Sequence, residues 1–337
     1  MLKKREVISS DTSVGWRKHM KRKDIFILNP MAGRHDLTEE LTRTIEREAG
    51  RRGLDYRIER TGYPGHAEEL AARLSREYAP RICRFYACGG DGTLNEVVNG
   101  AAEQENAELA VYPCGTGNDF VKLFDDPEKL LDLGALMDAP ARDFDLMCLN
   151  DRYSINICGT GVDARVADWV TRNKHRVPFG GKLVYDLSLV VNFFGRLNRY
   201  FEVEIDGERL DGEYAILLAA NGRYYGGGYF PVPEAEPDDG MLDFLLIRKV
   251  SHLTVLKLIG KFQRGLHGEL GDYQVYRRGR RMTLRAKDEE PMNCDGEIRY
   301  TCEAVIALSP RRLPVAVPEG CMLIRGTEEK QPAGAKT

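Results

Sequence analysis

The chain has 337 residues, 42% hydrophobic and 30% charged, with 49 Lys+Arg against 52 Asp+Glu and a net charge of −3. Ordinary apolar content at low net charge excludes wholesale disorder, and a pI near 6.2 excludes nucleic-acid binding driven by bulk charge. The longest apolar runs, Leu187–Phe194 and Tyr214–Ala220, are far too short to cross a bilayer.

The length predicts two domains at about 100–200 residues each. None of the eight cysteines forms a C-x-x-C pair, so their spacing suggests no zinc site, and no apolar stretch follows the basic N-terminus as a signal peptide would require. A reduced, cytoplasmic protein is expected. Residues 1–23 carry eight Lys/Arg and two acids, a basic arm that suits either a solvated terminus or an anionic membrane surface.

In chain order, Asp24–Leu28 is a short apolar run that suits a buried strand, ending in the loop Asn29-Pro30-Met31-Ala32-Gly33. Leu37, Leu41, Ile45 and Ala49 mark one face of a helix over Leu37–Arg52. Asp55–Arg60 is a second strand, followed by Thr61, and His66–Tyr78 a second helix with Leu70, Leu74 and Tyr78 in register. Arg84–Ala87 is a third strand, a helix follows over Thr93–Ala102, and Leu109–Tyr112 is a fourth strand. This β-α-β-α alternation predicts a Rossmann-like, doubly wound domain over 24–140 with a mostly parallel sheet. After Arg142 the helical period mostly vanishes. Strands are predicted at Leu146–Leu149, Tyr153–Cys158, Phe201–Asp206, Tyr214–Ala220, Leu242–Arg248, Tyr273–Tyr276, Arg281–Ala286 and Glu303–Leu308. Helices are expected around Leu183–Phe194 and Leu253–Phe262, and Gly326–Thr337 is a polar tail.

Three loops at the carboxyl ends of the early strands contain glycine, which is where ligands of such sheets bind. Gly89-Gly90-Asp91-Gly92-Thr93 combines backbone N–H groups with a carboxylate and a hydroxyl, and opens a helix whose N-terminal dipole favours phosphate. Gly115-Thr116-Gly117-Asn118-Asp119 repeats the device on the next strand. Asp91 is placed to hold Mg²⁺ on a nucleotide. The loops match neither the P-loop nor the G-x-G-x-x-G fingerprint.

Taken in order, N-P-x-A-G (Asn29–Gly33), G-G-D-G-T-L-N-E-V (Gly89–Val97) and G-T-G-N-D-F (Gly115–Phe120) resemble the soluble bacterial diacylglycerol kinase-like lipid kinases, relatives of the sphingosine kinases. Gly180-Gly181-Lys182-Leu183, Pro237–Asp243 and Cys294-Asp295-Gly296-Glu297 extend the match, which spans about residues 24–310. The resemblance implies ATP and Mg²⁺, a lipid alcohol as acceptor with diacylglycerol the default and a sphingoid base or isoprenoid alcohol as other acceptors, transient contact with the inner membrane surface, and no nucleic acid; homodimers occur in the family, and the alternatives are an NAD kinase-type enzyme of the same superfamily or a catalytically silent lipid- or nucleotide-binding module. It implies ATP contacts at Asn29, Pro30, Gly33, Thr61, Gly89, Gly90, Asp91, Gly92, Thr93, Asn95, Gly115, Thr116, Asn118 and Asp119. Glu297 matches the proposed general base, with Asp91 the other catalytic candidate. A structural Mg²⁺ is implied at Asp239, with main-chain oxygens from Glu236 and Met241. The second domain, 141–310, is expected to be β-sandwich-like and lipid-binding, with a C-terminal segment, 311–325, returning to the first domain.

Aromatics and bases around 169–199, namely Trp169, Phe179, Tyr185, Phe193 and Phe194 with Arg172, Lys174, Arg176, Lys182, Arg196 and Arg199, suit either a membrane-facing rim or a helix packed on the core. Tyr224–Gly228 is expected to border the cleft. Cys88, Cys114 and Cys294 each precede a motif, which suggests either redox sensitivity or small residues packed under loops.

Overall fold

The computed structural model describes residues 20–33, 35–173 and 195–326. The basic arm up to Lys18, the polar tail after Gly326, the Gly180–Leu183 motif and the helix expected over Leu183–Phe194 lie outside the described residues.

Strands β1 (Arg22–Leu28), β2 (Tyr56–Arg60), β3 (Ile82–Gly89) and β4 (Ala107–Pro113) form a parallel sheet in the order β2-β1-β3-β4. Every residue of β3 is buried, the pattern of a strand covered on both faces. Helix α1 (Thr38–Arg52) buries Leu41, Ile45 and Ala49 on this sheet. It opens on Glu39 and Glu40, closes on Arg51 and Arg52, and stops at Gly53 in the left-handed conformation, so charge and cap both favour its ends. Leu37, expected on its apolar face, precedes the helix and is exposed. Helices α2 (His66–Tyr78) and α3 (Asp91–Ala101) follow the expected pattern, with α3 starting two residues earlier than the apolar period indicated. A short helix α4 (Leu133–Asp138), capped by Asp132, leads into β5 (Ala141–Leu149), which turns at Asn150-Asp151 into β6 (Arg152–Ser154).

The remaining strands are β7 (Ile157–Gly161), β8 (Arg199–Ile205), β9 (Glu208–Arg209), β10 (Gly212–Ala220), β11 (Leu242–Arg248), β12 (Gln274–Gly279), β13 (Arg281–Cys294) and β14 (Glu297–Ala316). They are antiparallel to one another wherever they pair. β14 pairs with β13 over its first half and with β5 further on, and near its end Val315 pairs in parallel with Leu109 of β4. One continuous sheet therefore links the two halves.

Two departures from the sequence reading matter. β13 and β14 run well beyond 281–286 and 303–308, because register shifts between Arg285 and Glu290 and between Leu308 and Arg312 carry the strands past charged and proline-containing stretches. Helix α5 (Val162–Asn173) was not expected; its valines and threonine are β-branched and disfavour helix locally. A further helix, α6 (His252–Gln263), matches the expected one and is capped by Ser251, whose Oγ accepts from Thr254 N at 3.2 Å.

Candidate active site

The three glycine loops converge because glycine lets their backbones touch. A Cβ on Gly33 would lie 2.6 Å from the Cys114 carbonyl oxygen, and Gly90 and Gly115 pack Cα to Cα with no room for a side chain on Gly115. Asn29 Nδ2 donates to Thr93 Oγ1 at 2.9 Å, and Cys114 N to Gly89 O at 2.8 Å, which locks the first loop to the second and the second to the third. Asp91 opens α3, so the dipole of an eleven-residue helix faces the same space. Thr61 sits at the rim, where its N–H bonds to Leu28 O; Thr116 is exposed.

Not every residue in the expected nucleotide set points outward. Asn118 stitches its own loop, accepting from Gly115 N at 3.1 Å and donating to Gly115 O at 2.8 Å. Asn95 is buried and its side chain is bonded by Asn99 beside the Tyr153 carbonyl. Asp119 is a bridge. Its N–H donates to Asp91 Oδ1 at 2.7 Å, and its carboxylate accepts from Lys122 Nζ at 2.5 Å and from Gly227 N at 2.8 Å. Burial and the charge of Asp119 together push the Asp91 carboxyl up from its ordinary value.

Asp91, Asp119, Phe120, Asn293, Asp295 and Gly296 line a cleft of about 190 Å³, closed on one side by Gly226 and Gly227 of the expected Tyr224–Gly228 loop. Asp295 is an anchor. Its carboxylate accepts from Ser154 Oγ at 2.7 Å and from the N–H groups of Ile155 and Ile157, both at 2.9 Å. Asp295 and Gly296 both have positive φ, the tight two-residue turn that Asp-Gly favours, and this turn delivers Glu297 to the first position of β14. Glu297 is exposed, one residue beyond the cleft wall.

The cleft shares Ala167, Tyr225, Gly226 and Asn293 with an apolar pocket of about 330 Å³ between α5 and α6. Val166 and Val170 of α5 face Val255, Leu258, Ile259 and Phe262 of α6 in its wall. Asp163 lies at its edge. Burial raises its pKa to about 6, against the lowering pull of the Ala164 N–H, the Arg165 charge and the Tyr225 side chain. Lys122, Asn293 and Asp163 were not singled out from the sequence, and no motif marks them; only the fold brings them here. A larger hollow of about 820 Å³ lies at the opposite end of the parallel strands, where Arg22–Asp24, Arg81–Asp55 and Arg84–Glu108 pair among themselves.

The expected structural Mg²⁺ site does not fit. Asp239 Oδ1 accepts from Met241 N at 2.9 Å and its Oδ2 takes the Arg278 guanidinium, while Glu236 pairs with Arg325 at 2.6 Å. Among the described residues no group of three or more His, Cys, Asp or Glu side chains is arranged to hold a metal ion.

Of the expected basic rim, Arg199 pairs inward with buried Glu290, which also takes Arg165, and Arg172 pairs with Asp168. Phe179, Tyr185, Phe193, Phe194, Lys174, Arg176 and Lys182 lie outside the described residues. No helix among the described residues is long and apolar enough to cross a membrane. The cysteines favour packing over sensing. Burial pushes the Cys88 thiol well up and that of Cys114 to about 11, which suppresses the reactive thiolate. Cys294 lies opposite Cys158, with the two sulfurs 3.4 Å apart and both residues buried. Brief alkylation of the native protein followed by peptide mass spectrometry is expected to label exposed Cys302 first. Labelling of Cys88 or Cys158 at the same rate would contradict this.

Against known proteins, residues 23–149 match the diacylglycerol kinase catalytic domain, and residues 156–317 match the YegS C-terminal NAD kinase beta sandwich-like domain. The chain belongs to the diacylglycerol kinase-like lipid kinase family. Such enzymes transfer a phosphoryl group to a hydroxyl. The chain is 30% identical over 285 residues to a diacylglycerol kinase of Bacillus subtilis, covering 82% of this chain and 90% of that one. It is 32% identical over 263 residues to a YegS-like probable lipid kinase of Chromohalobacter salexigens, covering 75% and 82%. A crystal structure of a diacylglycerol kinase from Bacillus anthracis superposes with a TM-score of 0.64 at 20% identity, covering 88% of this chain and 97% of that one, so the fold is shared.

Proposed function

We propose that the protein transfers the γ-phosphoryl group of MgATP to a lipid hydroxyl, with diacylglycerol the acceptor and phosphatidic acid the product. The observation that carries this is the shared wall. A cleft carrying Asp91 and Asp119, from the second and third glycine loops, shares four lining residues with an apolar pocket, so a chain bound in the pocket would present its polar end to the phosphate. Residues 24–140, completed by 311–325, form the nucleotide-binding unit in this reading and 141–310 the lipid-binding unit. The run of β14 from β13 to β4 supports that division.

The catalytic work asked of the chain is positioning and one proton transfer, because phosphoryl transfer needs little covalent chemistry from protein. The backbone N–H groups of 90–93 and 116–117 cradle the phosphates. Asp91 faces them from the start of α3. Glu297 takes the proton of the attacking hydroxyl, held in place by the Asp295 anchor behind it. Membrane contact follows from the substrate, since the pocket must receive a chain from a bilayer or micelle.

The reading is tested by label transfer from ATP with Mg²⁺ to micelles of diacylglycerol, monoacylglycerol, a sphingoid base or undecaprenol, with NAD as the soluble control. Labelled diacylglycerol is expected, and labelled NAD alone would overturn the lipid assignment. A carboxylate placed in the pocket wall, Leu258→Asp, is expected to raise the KM for lipid at least tenfold while leaving the KM for ATP unchanged, since burying a charge in apolar surroundings is costly. Equal lipid KM in both proteins would remove the pocket from the acceptor site.

A further inference from the structure

Five carboxylates crowd one corner of the fold: Glu236, Asp238 and Asp239 on the turn before β11, Asp243 within β11, and Asp145 on β5. Such a concentration needs positive charge nearby. Three arginines from separate segments supply it. Arg325 grips Glu236 at 2.6 Å and Asp238 through both terminal nitrogens at 2.6 and 2.5 Å. Arg312 of β14 donates to Asp145 Oδ1 at 2.8 Å and to the Asp238 carbonyl at 2.7 Å. Arg278 of β12 takes Asp239 and reaches Asp243 at 3.3 Å. The backbone completes the set, with Gly240 N donating to Asp145 Oδ2 at 2.7 Å and Asp145 N to Pro237 O at 2.7 Å.

We propose that the guanidinium groups of Arg278, Arg312 and Arg325 are the permanent counterions of this turn, in place of a divalent cation. Both oxygens of Asp239 already accept N–H donors, so a cation there would have to displace Arg278 and sit beside its charge. A guanidinium suits the role because its fork satisfies two acceptors at once, as Arg325 does with Asp238. The clamp also has reach. The Asp145 carbonyl accepts from Asn221 Nδ2, which donates equally to Ile155 O, and Ile155 N–H holds Asp295. The arginines thus brace the strand that positions the Asp-Gly-Glu turn. The proposal rests on this geometry alone and stands whether or not the protein phosphorylates a lipid.

The test uses the full chain without nucleotide. Mn²⁺ is titrated while its free signal is followed by electron paramagnetic resonance, wild type beside Asp239→Asn. Identical binding curves are expected. One equivalent bound by wild type and lost in Asp239→Asn overturns the proposal. Thermal unfolding is followed with EDTA and with millimolar MgCl₂. The wild-type midpoint is expected to be the same in both, and Arg278→Ala to melt at least about 3 °C lower. A wild-type midpoint that falls in EDTA, or an unshifted Arg278→Ala, also overturns it. Arg325→Gln, at a half-exposed position, gives the same reading if Arg278→Ala fails to fold.

Discussion

Glu297→Gln is expected to lower kcat for lipid phosphorylation by about 10²–10⁴-fold, the range of a lost general base, with the KM for ATP unchanged. Glutamine keeps the shape of the side chain and removes its proton affinity. Glu297 is exposed at the start of β14, so the melting temperature should barely move, as for surface substitutions generally. The geometry supplies its own rival. Asp91 lines the cleft itself, and burial with the neighbouring Asp119 charge raises its carboxyl toward the pH at which a base works well. Asp91→Asn is therefore measured in parallel. Full activity in Glu297→Gln together with loss in Asp91→Asn would move the base to α3. Equal activity in both variants would leave the proton to solvent.

Asp163→Asn is expected to stabilise the fold at pH 7 and to do little at pH 4. Burial raises the pKa of this carboxyl to about 6, outweighing the Ala164 N–H, the Arg165 charge and the Tyr225 side chain, which pull it down. The folded state therefore binds a proton more tightly than the unfolded chain does. Between the unfolded value near 4 and the folded value near 6, stability falls as pH rises, and the whole cost is present above that window. Roughly two pKa units correspond to about 3 kcal/mol as an upper bound. Asparagine removes the ionisation and so recovers part of this, a rise of several degrees in melting temperature at neutral pH. The check is unfolding of both proteins at pH 4, 5.5 and 7.5. A difference that does not grow with pH would show that Asp163 is not ionised against the fold.

The same residue marks the limit of reading this chain from its sequence. The alternating elements up to Pro113 were legible because buried parallel strands and one-sided helices write their environment into residue type, as β3 and the Leu41–Ile45–Ala49 stripe show. The glycine loops were legible for a local reason too: only glycine tolerates the contact between Gly90 and Gly115. The Asp-Gly turn before Glu297 was visible as a turn, although nothing local reveals that Asp295 is its buried anchor.

What failed was non-local. Helix α5 contains three valines and a threonine, β-branched residues that disfavour helix locally, and it packs against β7 and β13. The resemblance implied Asp239 as a cation ligand, and nothing local could reveal its partner Arg278, 39 residues away in sequence. Asn118 and Asn95, implied as nucleotide contacts by the resemblance, also bond within the protein, to Gly115 and Asn99, which no local pattern shows. By itself the sequence determined the parallel sheet, its glycine loops and the family, since each rests on short-range sterics or on contiguous motifs. Only the tertiary structure decided which carboxylates face the cleft, which are neutralised by distant arginines, and where the apolar pocket meets the cleft. Those depend on pairings between segments that no local pattern encodes.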